Sequence, residues 1–371
     1  MIQILRLENF KCFEEQELEL GALTLLSGLN GMGKSTVLQS LLLLRQSYQQ
    51  GLLKKTGLAL NGDLVRIGTA QDALFEDAKE EKIGFEIDLG NGNKGKWRFN
   101  YNKEADVLDL DLAPQSTKIY RSGLFEDDFH YLQAERLGPR RFFEMSVFQV
   151  QQHKQIGTRG EFTAHFLASY GATKISKKSL SHAKAESLKL RDQVEAWLEE
   201  ISPGTRIHLA LHKGMDLVNL EYSFTTGKHA SNNFRSTNVG FGLTYTLPVI
   251  VALLASGKGA LILIENPEAH LHPEGQVRIG ELMALAASCG IQVVVESHSD
   301  HILNGIRLAV YNQKIAPDKV MLHYFERKEI NQGKTTVVSP KIDQNGRIDR
   351  WPDGFFDVWD KCLETLLTPR A

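Results

Sequence analysis

The residues with the clearest chemical meaning are Gly28-Leu29-Asn30-Gly31-Met32-Gly33-Lys34-Ser35-Thr36. They spell G-x-x-x-x-G-K-[ST], a loop whose glycines let backbone N–H groups close around a triphosphate. Lys34 is placed to reach the β- and γ-phosphates, and the Ser35 hydroxyl is placed to coordinate Mg²⁺. Asn30, Gly31, Gly33 and Thr36 complete the cradle, where the start of a following helix favours negative charge. A second group, Glu265-Asn266-Pro267-Glu268-Ala269-His270-Leu271-His272-Pro273, follows the apolar run Ala260 to Ile264. An acid at the C-terminal edge of a buried parallel strand stands where an α/β fold places ligand chemistry, so Glu265 is the candidate to hold Mg²⁺ directly or through water. A third group, Glu296-Ser297-His298-Ser299-Asp300-His301, ends the run Ile291 to Val295. A histidine there could hydrogen-bond a γ-phosphate or position attacking water. Glu265, Glu268, His270, His272, Glu296, His298, Asp300 and His301 are also of the types that bind Mn²⁺ or Zn²⁺, which is the competing reading of this density.

The elements that must position these groups can be read from periodicity. Leu23 to Leu26 reads as the strand before the glycine loop, and Val37 to Leu44 as the helix after it. The alternation in Ile2–Leu7 and Phe13–Leu20 predicts an antiparallel hairpin ahead of them. Gly90-Asn91-Gly92-Asn93 between Ile83–Leu89 and Lys96–Tyr101 predicts another, so residues 80–125 should be β-rich. A charged amphipathic helix is expected over 175–200, and a β pair around Lys213-Gly214. Val239-Gly240-Phe241-Gly242 then opens an apolar helix, Leu243 to Ala255. Ala260–Ile264 and Ile291–Val295 read as buried parallel strands flanking a helix near 274–288. A strand pair near 319–326 and 334–342, an Asn345-Gly346 turn and a helix near 355–367 complete the chain.

The composition is that of an ordinary soluble globular protein, with 42% hydrophobic and 24% charged residues. The net charge of −2 advertises no general affinity for nucleic acid, which leaves only local patches to consider. Arg136, Arg140 and Arg141 form one such patch, able to meet phosphate, a nucleic-acid backbone or acidic neighbours, or simply to stay solvated. Cys12, Cys289 and Cys362 have no metal-ligand or redox spacing, which suits a reducing compartment. The first residues lack signal-peptide architecture, and the longest apolar run, Leu247 to Ala255, is too short to span a bilayer. A cytoplasmic protein with no membrane partner is expected.

The three groups, in this order, resemble the ABC-type ATPases, and more narrowly the bacterial branch of RecF, SMC heads and the OLD proteins. Met1–Phe13, with Glu8-Asn9-Phe10-Lys11, is similar to that branch's opening strand. Glu265 to Pro273 looks like its Walker B segment and D-loop, and Ser297-His298-Ser299 like its H-loop. Leu41-Leu42-Leu43-Leu44-Arg45-Gln46-Ser47, Ala134-Glu135-Arg136-Leu137-Gly138-Pro139, Gly240-Phe241-Gly242 and Trp351-Pro352 with Gly354-Phe355-Phe356 extend the resemblance to small stand-alone ATPases of this branch. The implied fold is an α/β, ABC-type P-loop NTPase head with a mixed central sheet, an antiparallel β subdomain and a helical lobe. One domain over 1–371 is expected. Its nucleotide core would come from 1–75 and 238–320, with an inserted lobe at 76–237 and a C-terminal extension at 321–371.

The resemblance also implies roles. Glu265 is the Walker B acid, and His298 the switch histidine. Asn238, Gly240 and Gly242 stand where the ABC signature contacts the ATP of an opposite subunit, so that ATP closes a head-to-head dimer. Gln71 is a candidate Q-loop ligand of Mg²⁺, and Lys11 a candidate nucleotide contact. Asn266 stands where the family's catalytic glutamate is usual; an amide cannot act as a general base, though Glu268 is near in sequence. ATP and Mg²⁺ are the expected cofactors. The expected role is a motor or sensor subunit in anti-phage defence or DNA processing. The effector, a nuclease or toxin, would be a separate chain, and nucleic acid is a further candidate partner. The alternative is a slow or non-hydrolysing ATP-bound scaffold that holds an effector inactive.

Overall fold

The computed structural model describes residues 1–227, 229–327 and 334–368. They divide into two compact units, one of residues 1–126 with the described residues from 317 onward, the other of those within 127–316.

The first unit opens with β1 (Ile4–Phe10) and β2 (Phe13–Glu19), the expected antiparallel hairpin. Alternation sets the faces: Leu5 and Leu7 are fully buried, while Arg6 pairs with Glu17 and Glu86 on the opposite face. β3 (Leu23–Gly28), buried except at its end, delivers the glycine loop to α1 (Lys34–Gln49). The leucines at 41–44 are all core residues, at 1% exposure or less. β4 (Gly57–Ala59), the short α2 (Ala70–Ala73), β5 (Lys82–Asp88), β6 (Lys94–Asn100) and β7 (Val107–Leu112) follow. With the first hairpin they make an antiparallel sheet ordered β2-β1-β5-β6-β7-β4, the β-rich region expected between 80 and 125.

In the second unit, β8 (Phe129–Leu132) leads through β9 (Phe143–Glu144) to α3 (Thr163–Tyr170) and α4 (Leu190–Glu199). The helix expected over 175–200 is therefore only its C-terminal part. Residues 175–189 fold back as a loop instead, with Ile175 N–H donating to the Leu188 carbonyl and Leu190 N–H to the Thr173 carbonyl. Serines punctuate it: Ser181 bonds the Lys178 carbonyl and Ser187 the Asp192 carboxylate, local bonds that compete with a helix ladder. β10 (Thr205–His212) and β11 (Leu217–Thr226) form the expected pair, edged by β12 (His229–Ala230) and β13 (Phe234–Arg235). α5 (Phe241–Ala255) is buried without a break from Gly242 to Leu254 and carries Pro248 in its interior. β14 (Leu261–Glu265) runs parallel to β8 on one side and to β15 (Gln292–Glu296) on the other. α6 (Pro273–Ser288) joins β14 to β15, and α7 (Asp300–Tyr311) follows.

The chain then returns to the first unit. β16 (Val320–Glu326) lies parallel to β3, and β17 (Thr336–Val338) pairs antiparallel with β16. The final helix, α8 (Val358–Leu367), exposes Trp359, Leu366 and Leu367. Among the described residues no helix is long and apolar enough to cross a membrane.

Candidate functional site

In the first unit the glycine loop has the backbone that its residue types demand. Gly33 caps α1 in a left-handed conformation, φ 95°, and a Cβ there would sit 2.6 Å from Cys12 Sγ and 2.8 Å from Phe13 Cζ. Only glycine meets both conditions. Lys34 is 3% exposed, and its Nζ donates to the carbonyls of Gly28 at 2.9 Å and Leu29 at 2.8 Å. The ammonium thus lies inside the loop, where the positive end of α1 adds to its field. Ser35 is exposed, as are Asn30 and Gly31. Thr36 is buried, and its hydroxyl accepts from the Cys12 thiol at 3.8 Å. Lys11, in the turn between β1 and β2, donates from Nζ to Gln39 Oε1 on α1 at 2.9 Å. Burial pushes its ammonium below the usual lysine range. Gln71 lies exposed on α2.

In the second unit Glu265 ends β14 with both carboxylate oxygens engaged. Tyr131 Oη donates to Oε1 at 2.8 Å, and the Ala134 N–H donates to Oε2 at 3.0 Å. Burial first, and then the charge of Glu265, pushes the Tyr131 phenol far up, so it remains a donor. Asn266 has φ 44°, its N–H donates to the Glu296 carbonyl, and its Oδ1 is buried with no hydrogen-bond partner among the described residues. Glu268 Oε1 accepts the His298 N–H at 2.8 Å, and burial pushes its carboxyl above the usual range. The His298 ring itself is exposed just past β15. The structure therefore brings Glu265, Asn266, Glu268 and His298 to one end of the parallel strands.

The segment 238–242 meets the same end of the second unit. A Cβ at Gly242 would lie 2.5 Å from the His270 carbonyl, so the start of α5 rests on the loop after β14. The His270 ring packs against Phe241, with centroids 4.4 Å apart, and against Tyr245 at 4.9 Å. Asn238 and Gly240 are exposed. His272 caps α6, its Nδ1 accepting the Glu274 N–H at 3.4 Å.

Tyr131 and Tyr245 escape motif reading, and so does the burial of Arg136. The sequence leaves Arg136 open between a contact with phosphate, nucleic acid or acidic neighbours and a solvated face; it is 3% exposed and meets backbone carbonyls instead. It donates to the carbonyls of Gln133 and Tyr245 at 3.1 Å each, of Glu265 at 2.6 Å and of Asn266 at 2.7 Å. Its guanidinium also lies 4.5 Å over the Tyr245 ring. Burial lowers its pKa to about 10, so it stays cationic at neutral pH. The one available signal was its place in Ala134-Glu135-Arg136-Leu137-Gly138-Pro139.

Among solved structures, the chain is similar to the SMC head bound to the C-winged helix domain of ScpA. That match covers 92% of this chain and 98% of that one, at a TM-score of 0.57 and 16% identity. It is also similar to the Pyrococcus furiosus SMC head domain with an extended coiled coil, bound to the C-terminal domain of ScpA. There 99% of each chain is covered, at a TM-score of 0.51 and 13% identity. At such identities the likeness establishes the fold, the mixed α/β P-loop head that the sequence implies. No match to a curated protein is found. Residues 315–366 match a family model of a protein of unknown function, DUF3696. Residues 23–304 match the model described as "AAA domain, putative AbiEii toxin, Type IV TA system", and over that span, which holds both the glycine loop and Glu265, the chain belongs to this AAA domain family.

Proposed function

We propose that the protein is an ABC-type ATPase that binds Mg²⁺-ATP through its glycine loop and turns it over slowly, acting as a motor or sensor subunit. The observation that carries this is the loop itself: a buried Lys34 inside a left-handed Gly33 turn at the head of α1. Lys34, Gly31, Gly33 and the backbone of Asn30 to Thr36 bind phosphate, and Lys11 is a further nucleotide contact. Ser35, Glu265 and Gln71 offer the hard oxygen donors that Mg²⁺ prefers, directly or through water. Bound there, the ion would neutralise charge on the β- and γ-phosphates. Glu265 suits the role because Tyr131 and the Ala134 N–H fix its orientation beforehand. His298 positions the attacking water or the γ-phosphate. Asn266 orients but cannot take a proton, which leaves Glu268, with its raised affinity for protons, as the base.

Asn238, Gly240 and Gly242 are proposed to meet the ATP of a second copy, closing a head-to-head dimer. An effector on a separate chain, a nuclease or toxin, would read that closure. The toxin–antitoxin wording of the family description supports this setting of defence or DNA processing. Asn266 supports a second reading, an ATP-bound scaffold that holds an effector inactive and rarely hydrolyses. Turnover decides between them. Slow wild-type hydrolysis that rises strongly in Asn266→Glu, with nucleotide binding lost in Lys34→Ala, supports the slow ATPase. Brisk wild-type turnover sinks the slow switch, and no turnover in either form leaves the scaffold. Sedimentation with and without ATP tests the dimer.

A further inference from the structure

Arg136 is a buried cation with an unusual set of partners. Among the described residues, its side chain donates four hydrogen bonds, all to backbone carbonyls, from three separate stretches: Gln133 after β8, Tyr245 on α5, and Glu265 with Asn266 at the end of β14. Its own N–H donates to the Tyr245 hydroxyl at 3.1 Å, and that hydroxyl donates in turn to the Ala134 carbonyl. The Ala134 N–H holds Glu265 Oε2. A planar fork is required here, because one rigid group must satisfy Glu265 and Asn266 on one side and Tyr245 on the other.

We infer that Arg136 is a positioning residue that locks the first turns of α5 to the Glu265–Asn266 peptide, so that the signature-like segment and the acid strand end move as one body. The inference rests on the proposed function only in assigning chemistry to those two segments. In that reading, a second copy engaging residues 238–242 changes the setting of Glu265 and Asn266 through Arg136, without Arg136 touching nucleotide. A carbonyl is a good anchor for such a link. It carries no charge to titrate, so the lock is insensitive to pH across the neutral range.

The experiment uses the full chain with Arg136→Lys, and Tyr245→Phe as a milder companion. A lysine keeps the charge but cannot span the four carbonyls. Hydrogen exchange without nucleotide is expected to quicken about tenfold in residues 241–248 and 261–270 together. Tyr245→Phe should give the same paired pattern at smaller size. With ATP, Arg136→Lys should lose about tenfold in kcat while nucleotide Kd stays within about threefold. Quickened exchange confined to residues 133–139, or to α5 alone, overturns the inference, as does an unchanged kcat in a folded Arg136→Lys protein that exchanges faster at both segments. If the wild type binds no ATP, the functional reading fails, while the exchange result still judges the lock.

Discussion

The glycine loop and the acid end of β14 hold their charged groups in opposite ways. Lys34 is held by carbonyls five and six positions away, and Gly33 supplies the turn beside it. Glu265 is held by Tyr131 and Ala134, at separations of 134 and 131 positions. The first arrangement is made by one continuous stretch of backbone, the second by the Tyr131 side chain on β8 and the Ala134 N–H in the loop after it, with Tyr245 on α5 holding the Ala134 carbonyl. A site of the first kind survives in any fold that presents strand, loop and helix. A site of the second kind exists only when the whole unit has folded, so its chemistry and its stability should be coupled.

Lys34→Ala gives the largest expected effect and probes the local side. Losing charge-assisted bonds to phosphate should cost about 3 kcal/mol of nucleotide binding, more than a hundredfold. Stability should change by about 1 kcal/mol, because the two carbonyls that lose the ammonium belong to a loop whose Asn30, Gly31 and Ser35 are open to water. Fluorescent-nucleotide titration and urea unfolding measure the two; a large loss of stability would break the contrast. Tyr131→Phe should do the reverse. It strips one donor from a partly buried carboxylate, costing about 1–2 kcal/mol of stability, while nucleotide affinity stays within about threefold. Equal losses in both measurements would blur the distinction.

Glu268 sharpens the comparison through pH. Its folded-state affinity for protons is raised, by burial above all, so the folded state holds its proton to higher pH than the unfolded state does. Stability should therefore fall as pH rises from the ordinary carboxylate range through the raised value. Glu268→Gln removes that part of the slope and should be more stable than wild type above it. Melting temperature against pH in the two proteins checks the sign. Catalysis through Glu268 should show the opposite trend, gaining as pH rises and the carboxylate forms.

How much was legible follows from the same contrast. The glycine loop, the hairpins of the first unit and the strand–helix–strand run from β14 to β15 announce themselves in spacings of a few residues. Glu265 and His298 follow because they end apolar runs. Arg136 does not, since its burial depends on four carbonyls brought together by the fold, and a charge in a polar stretch reads first as surface. Residues 175–189 misled for a related reason. Their apolar positions fit a helical period, yet Ser181 and Ser187 satisfy local backbone and side-chain partners and let the chain fold back as a loop. Periodicity registers where apolar groups lie but not which local bond forms first.

Pro248 gives α5 a property that its burial alone would hide. A proline there supplies no N–H to the carbonyl of Thr244, one turn earlier, so the helix lacks one rung near its middle. Before that point lie Phe241, Gly242 and Tyr245, which meet His270 and Arg136; after it lie Val249 to Leu254, fully buried in the core. The missing rung makes Pro248 the place where α5 bends most easily, between the turns that meet His270 and Arg136 and the turns buried in the core.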